Sequence, residues 1–390
     1  MNPFFTPIQQ NTPFKNQISL SLSFSLFDSS SSLLVLMELI PGLPDDVARD
    51  CLVRVMYKQF PTVVSVCKGW RSELELPEFS RRRKNTCSSQ RLIVMAQARI
   101  DQKEGSSAMK YGASPIYRLT LLELDTGDWC ELPLIPEVSN GLPMFCRVVS
   151  VGSEIVVLGG MDPTSWEVSN SVFVFDFVSA TWRRGADMPG VRRSFFGCAS
   201  DSDRTVFVVG GHDDEKNALR SGMVYDVAKD EWAPLPDLAR ERDECKALFH
   251  DGKLHVIGGY CTEMQGRFEK TAEVFDVATW KWNGMQENFL AYAMCPRSCT
   301  SGNDQLYTCH GTDVLAFKDT TWQAVAKLPA DVHNIAHVEA LQGKLSVIGS
   351  AGFGEPYVGY EMDLKKYTWR KVQTPQQYSG HVQSGCYLEI

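Results

Sequence analysis

The sequence predicts an all-β propeller of six four-stranded blades preceded by a small α-helical segment, and three observations carry that expectation. Tryptophan recurs at Trp129, Trp182, Trp232, Trp282, Trp322 and Trp369, at intervals of 53, 50, 50, 40 and 47 residues. In the three cleanest copies a short apolar run ends in a glycine pair, Gly159-Gly160, Gly210-Gly211 and Gly258-Gly259. A second run ends in an aromatic residue and an aspartate (Phe175-Asp176, Tyr225-Asp226, Phe275-Asp276), and the Trp follows six residues after the Asp. A period of this length, with about four short strands in each unit, is that of blades packed around an axis.

Each element has a local reason. The runs 154–158, 205–209 and 253–257 are rich in Val, Ile, Leu and Phe, too short for stable helices and stopped by glycine, so they read as strands buried between blades. The glycine pair lets backbones approach where blades crowd together and tolerates positive φ. The Trp supplies a large apolar plate between blades, worth roughly 2–3 kcal/mol when buried. The first copy lacks a first strand: residues 91–98, 117–124 and 128–132 read as its second, third and fourth. Residues 380–389 are left over at the other end, so the C-terminal strand is expected to complete blade one and close a ring over residues 85–390. Two later copies are eroded. Cys309-His310-Gly311 stands where a glycine pair is expected, Phe317-Lys318 replaces the aromatic-Asp pair with Trp322 four residues on, and Gly349-Ser350 has lost one glycine.

The double glycine with its spaced aromatic-Asp and Trp resembles the kelch-repeat family, which implies a kelch propeller whose surface loops hold a protein partner.

Residues 37–84 differ in character, being almost free of glycine and helical in spacing. Val47, Cys51, Leu52, Val55 and Met56 fall on one face after Pro44, with Asp45 and Asp46 in the first turn, where the helix dipole favours acids. A second helix is expected from Thr62 to Leu74, with Val63, Val66, Cys67 and Trp70 on its apolar side. So short a segment buries little core alone and completes itself against a partner. Leu43-Pro44-Asp45-Asp46-Val47 and Val66-Cys67-Lys68-Gly69-Trp70-Arg71 resemble the two ends of an F-box, with Val47 and Val55 where Leu is usual. The resemblance implies docking on the Skp-type adaptor of a cullin-RING ubiquitin ligase, with Leu43, Pro44, Asp45, Val47, Leu52, Val55 and Trp70 as adaptor-binding residues. The alternative for some of them, Trp70 above all, is packing within the segment or against the linker.

The composition fits an intracellular adaptor, expected in cytoplasm and nucleus. Twelve cysteines are scattered without CxxC pairs, which reads as thiols in a reducing compartment and argues against zinc. Residues 91–390 hold 29 Lys and Arg against 39 Asp and Glu, which disfavours a nucleic-acid binder. The one basic cluster, Arg81-Arg82-Arg83-Lys84, is read as a solvated helix end or linker rather than a nuclear-import patch. Residues 1–36, rich in Ser, Phe and Leu, are read as a disordered or non-native extension, with Met37 an alternative start. No uninterrupted apolar stretch of about 18 residues is present to span a membrane.

No catalytic residue, metal site or cofactor is expected. Kelch-type copper oxidases need Tyr, Cys and His ligands at the axis, whereas the seven histidines here form no ligand pattern, and no phosphate loop, Ser elbow or zinc helix occurs. Partner binding falls instead to the loops after each second strand and to the connections between blades, which share one face. Trp166, Arg193, Arg242, Tyr260 and Phe353 are the candidate substrate-binding residues, because Arg and aromatics anchor interfaces. The alternative for Arg193 and Arg242, which recur at similar positions, is a structural role lining the channel. Over residues 37–390 the chain is similar to a plant F-box/kelch subgroup of ubiquitin-ligase receptors. That resemblance implies a protein substrate such as phenylalanine ammonia-lyase, or alternatively a type-B response regulator of cytokinin signalling. A non-ligase kelch scaffold is the rival from another class.

Overall fold

A computed structural model describes residues 38–100, 115–138, 140–302 and 305–390, so the expected extension at residues 1–36 lies outside the described residues. Four short α-helices come first: α1 (Asp45–Val53), α2 (Phe60–Val66), α3 (Lys68–Glu75) and α4 (Pro77–Asn85). Six four-stranded antiparallel sheets follow, the blades of a six-bladed propeller. The second helix expected over 62–74 is interrupted at Cys67, where an extended backbone (φ −159°, ψ 165°) ends α2 and begins α3. The Cys67 sulfur caps α3, accepting from the Trp70 backbone N–H at 3.4 Å, which satisfies one of the donors a helix start leaves unpaired.

The strands at 154–158, 205–209 and 253–257 occur with those bounds. Their side chains are almost wholly buried, and the apolar clusters they form run between blades rather than within one. Val149, Val156 and Val174 of blade two, for example, pack with Phe196, Val206 and Tyr225 of blade three. Burying each such side chain contributes about 1.5–3 kcal/mol, so the inter-blade seams carry most of the stability.

Both glycines of each clean pair have positive φ, as at Gly210 (+62°) and Gly211 (+83°). A Cβ on Gly211 would lie 2.4 Å from the Ser194 carbonyl oxygen, so crowding and conformation both require glycine there. The tryptophans do more than pack. Each donates its indole N–H to a carbonyl at the exit of the preceding blade: Trp182 to Pro133, Trp232 to Ala186, Trp282 to Pro236, Trp322 to Phe289 and Trp369 to Lys327, at 2.7–2.8 Å. Trp129 completes the circle by donating to Gln373 of blade six at 3.0 Å. The aspartate of the aromatic-Asp pair caps the turn to the fourth strand, as Asp176 does by accepting from the backbone N–H groups of Val178 and Ser179.

In blade one the innermost strand is Val382–Glu389, paired antiparallel with Arg91–Ala98. The two chain ends of the propeller therefore meet in one sheet. The short turns joining first to second and third to fourth strands lie on one face of the ring. The loops after the second strands, together with the connections between blades, lie on the other.

Candidate functional site

The helical segment packs on the short-turn face. Tyr57 meets Phe177 edge to face with centroids 5.8 Å apart, and Leu52, Val53, Phe60 and Phe79 join an apolar cluster shared with blades one and two. The contact is also polar. Glu123, buried on the third strand of blade one, accepts from Lys58 Nζ and Gln90 Nε2 at 2.9 Å each, while Gln90 Oε1 accepts from the Tyr57 backbone N–H at 2.7 Å. Arg83 corrects the reading of its basic cluster as solvated: it is fully buried, donates to the carbonyls of Val53, Val55 and Ile390, and lies over the rings of Phe60 and Phe79. Burial holds this guanidinium down to about 10. A buried charge held by three carbonyls and two rings ties α1, α4 and the closing strand into one unit.

On the opposite side of the segment the apolar stripe of α1 is wider than the surface that covers it. Ala48, Leu52 and Val53 turn inward, whereas Val47 and Met56 are 43% and 46% exposed and Cys51 is exposed. The one apolar face expected to carry Val47, Cys51, Leu52, Val55 and Met56 is thus divided: Leu52 supports the core, Val55 is half-buried and the other three stay open. Pro44 and Asp45 are exposed, and Leu43 is half-buried. Trp70 is held locally, half-buried with its indole N–H donated to Leu39 O at 2.6 Å. Val66, at 58% exposure, and Leu76 add to the uncovered apolar surface. Their signal in the sequence was ambiguous, because an apolar residue on a helix face reads equally as core or as interface.

The loop face treats its five candidates unequally. Trp166 is 55% exposed with φ +61°, and Phe353 is fully exposed. Tyr260 is buried, its hydroxyl donating to Glu244 Oε1 at 3.0 Å. Arg193 and Arg242 are buried inside their own blades, which removes both from the set of exposed anchors. Arg193 donates to Gly210 O, Ser221 O and Ser221 Oγ at 3.0–3.1 Å. Arg242 donates to Gly258 O and pairs with buried Glu273 at 3.0 Å. Each thus holds the carbonyl of the first glycine in its pair, a bond that only the folded blade creates. They do not line the channel either.

What the sequence did not single out is the axial mouth on this face, a recess of about 130 Å³. Phe145, Phe195 and Glu244 stand at matching positions, each two residues before the innermost strand of its blade, and all three have positive φ (+61°, +53° and +49°). Such backbone costs about 1–3 kcal/mol per residue and persists where surrounding structure imposes it. It brings Phe145 and Phe195 together with centroids 4.8 Å apart at the rim. Below them Arg147, Lys246 and His337 line the passage into a larger axial channel of about 340 Å³ that also holds Glu339. The recurring positive φ has no sequence signature, since none of the three residues is glycine.

A helical segment docked on one face of a six-bladed propeller defines a two-part binding protein. Residues 145–328 match the model of the KLHDC2/KLHL20/DRC7 Kelch-repeats domain. The chain is 54% identical to the F-box/kelch-repeat protein At1g80440 of Arabidopsis thaliana and 56% identical to At1g15670 of the same plant, in each case over 91% of this chain and 100% of the relative. It is 34% identical to the F-box/kelch-repeat protein SKIP20 of that plant, over 68% of this chain and 70% of the relative. The chain belongs to the F-box/kelch-repeat family.

Proposed function

We propose that this protein is the substrate receptor of an SKP-cullin-F-box ubiquitin ligase. The observation that carries the reading is the division of labour between faces: helices that leave Val47, Met56 and Val66 uncovered sit on the short-turn face, and the long loops with Trp166 and Phe353 sit on the other. The uncovered helices fit a Skp-type adaptor, and through it a cullin; the loops fit a protein target. The receptor makes and breaks no bonds itself. Holding a target lysine beside the charged conjugating enzyme raises its effective concentration to the order of millimolar, and the Arg83 and Glu123 contacts keep the two binding surfaces in fixed relation.

Replacing Leu43 and Pro44 together by Ala tests the first half: adaptor capture is expected to fall below detection while the propeller's melting temperature is kept. Undiminished capture by the folded double mutant would refute it. The target we propose, on the resemblance to the plant subgroup alone, is phenylalanine ammonia-lyase, met in cytoplasm and nucleus. A longer half-life of that enzyme in plants lacking the receptor supports this assignment, and an unchanged half-life removes it.

A further inference from the structure

The axial mouth carries cations that make no close ion pair among the described residues. Arg147 and Lys246, from the innermost strands of blades two and four, line it together with Arg297 from the connection into blade five. Among the described residues no carboxylate lies within ion-pair distance of any of the three; Arg147 Nε donates only to the Phe196 carbonyl, at 3.0 Å. Glu244, the acid of the rim, already accepts from Tyr260. Glu339, deeper in the channel, is pushed by burial up to about 7, so it is about half neutral near that pH. Burial also holds Lys246 below its ordinary value; Glu339 pulls the other way, and Arg147 adds to the depression. His337 is more than nine-tenths buried, lines the mouth, and has an Nε2 with no hydrogen-bond partner, 3.6 Å from Glu339. Burial pushes this imidazole down to about 3, so it is neutral. Half-buried cations such as Arg147 and Lys246, and an orphaned buried ring nitrogen, are costly unless a partner arrives. All this sits in a propeller that is acidic overall.

The rim has a low point. Blades two, three, four and six carry loops of seven or more residues after their second strands, but in blade five Leu306–His310 passes to Asp313–Lys318 through Gly311 and Thr312 alone. Tyr292 stacks on His310 there (centroids 3.9 Å apart, 14° between planes), and Ser298, next to Arg297, donates to Cys309 O at 3.0 Å. The stacked rings and Arg297 all lie on the loop face at blade five, and Arg297 lines the mouth with Lys246 and Arg147. The flanking loops present exposed Met264 on blade four and Phe353 on blade six.

We infer that the mouth is an anion pocket for the target, and that an extended peptide laid across blade five delivers a carboxylate or phosphate group to Arg297, Lys246 and Arg147. This rests on the receptor reading and names the chemistry of what is received. The aromatic floor and apolar walls hold the peptide; the cations select its charge.

The test uses the full chain copurified with its adaptor and three fluorescent peptides in one alanine frame, carrying several glutamates, one phosphoserine or several glutamines. Anisotropy is expected to show binding of one or both anionic peptides and none of the glutamine peptide, weakening as salt rises. Which anionic peptide binds distinguishes carboxylate from phosphate. Lys246→Met is expected to weaken binding about tenfold or more; Arg297→Gln, at an exposed site that does not endanger folding, about tenfold; and Tyr292→Ala about threefold. Failure of both anionic peptides to bind, or equal binding by the folded Lys246 and Arg297 variants, overturns the inference. If those variants still capture a cellular target that Trp166→Ala with Phe353→Ala loses, the receptor reading stands and the anion pocket falls. If the unaltered protein captures no target, the receptor reading fails, and the peptide titration still decides the pocket.

Discussion

Blades three and four differ from blade five in what their polar side chains do. In blades three and four the glycine pair turns the chain sharply, and Arg193 or Arg242 reaches in to hold the first glycine's carbonyl. In blade five the glycine pair is gone, the loop shrinks to two residues, and Tyr292, His310 and Arg297 are left on or near the surface. Where the repeat is intact its conspicuous residues are consumed by the fold; where it decays, side chains are released to meet something else. The recurrence that makes Arg193 and Arg242 stand out in the sequence is therefore a mark of structure, and function is better sought at the irregular blade.

The sharpest way to break this contrast is to remove an arginine from each kind of blade. Arg242→Met leaves Glu273 charged and buried, and is expected to cost about 3–5 kcal/mol of unfolding free energy in chemical denaturation, whereas Arg297→Gln should change it by less than about 0.5 kcal/mol. Similar losses would abolish the distinction. Glycine gives the next largest difference. Ala at Gly211 meets the Ser194 carbonyl and must hold φ +83°, at about 2–4 kcal/mol, while Ala at Gly311 (φ +57°) has open space and loses only about 1 kcal/mol. Comparing the two melting temperatures checks this.

A third test concerns pH and blade six. Glu339 has a folded value raised above its unfolded one, so its neutral form favours folding. The stability it contributes is fully present below about 4.5 and is lost as pH rises through about 7. Glu339→Gln is expected to stabilise the protein by about 1–2 kcal/mol at pH 8, discounted for solvent in the channel, and to be neutral at pH 4. The same gain at both pH values would show that the carboxyl's charge is not the cause. The smallest expected effect is at the seams: Trp282→Phe keeps most of the apolar plate and loses the bond to Pro236, about 1 kcal/mol, while Trp166→Phe in its exposed loop changes nothing measurable in the same assay.

The blade repeat was legible from residues alone because its causes are local. Alternating apolar runs, a glycine pair that must take positive φ, and an aspartate that caps its own turn need only a few neighbours in sequence. The helical start after Pro44 was legible for the same reason. The break at Cys67 was not, because apolar spacing continues across it and only the backbone turns.

Burial and exposure were decided by the tertiary structure, because each depends on groups far away in the chain. Arg83 reads as part of a solvated basic run until the closing strand brings Ile390 within reach. Arg193 and Arg242 read as anchors until the glycine pairs that begin 17 and 16 residues further on fold back against them. Val47 and Leu52 share one apolar stripe in the sequence, yet one is open and the other buried, because the propeller covers only part of that stripe. The axial mouth belongs wholly to this second category. Its cations come from three blades, each unremarkable in its own stretch of sequence, and only closure of the ring sets them around one axis.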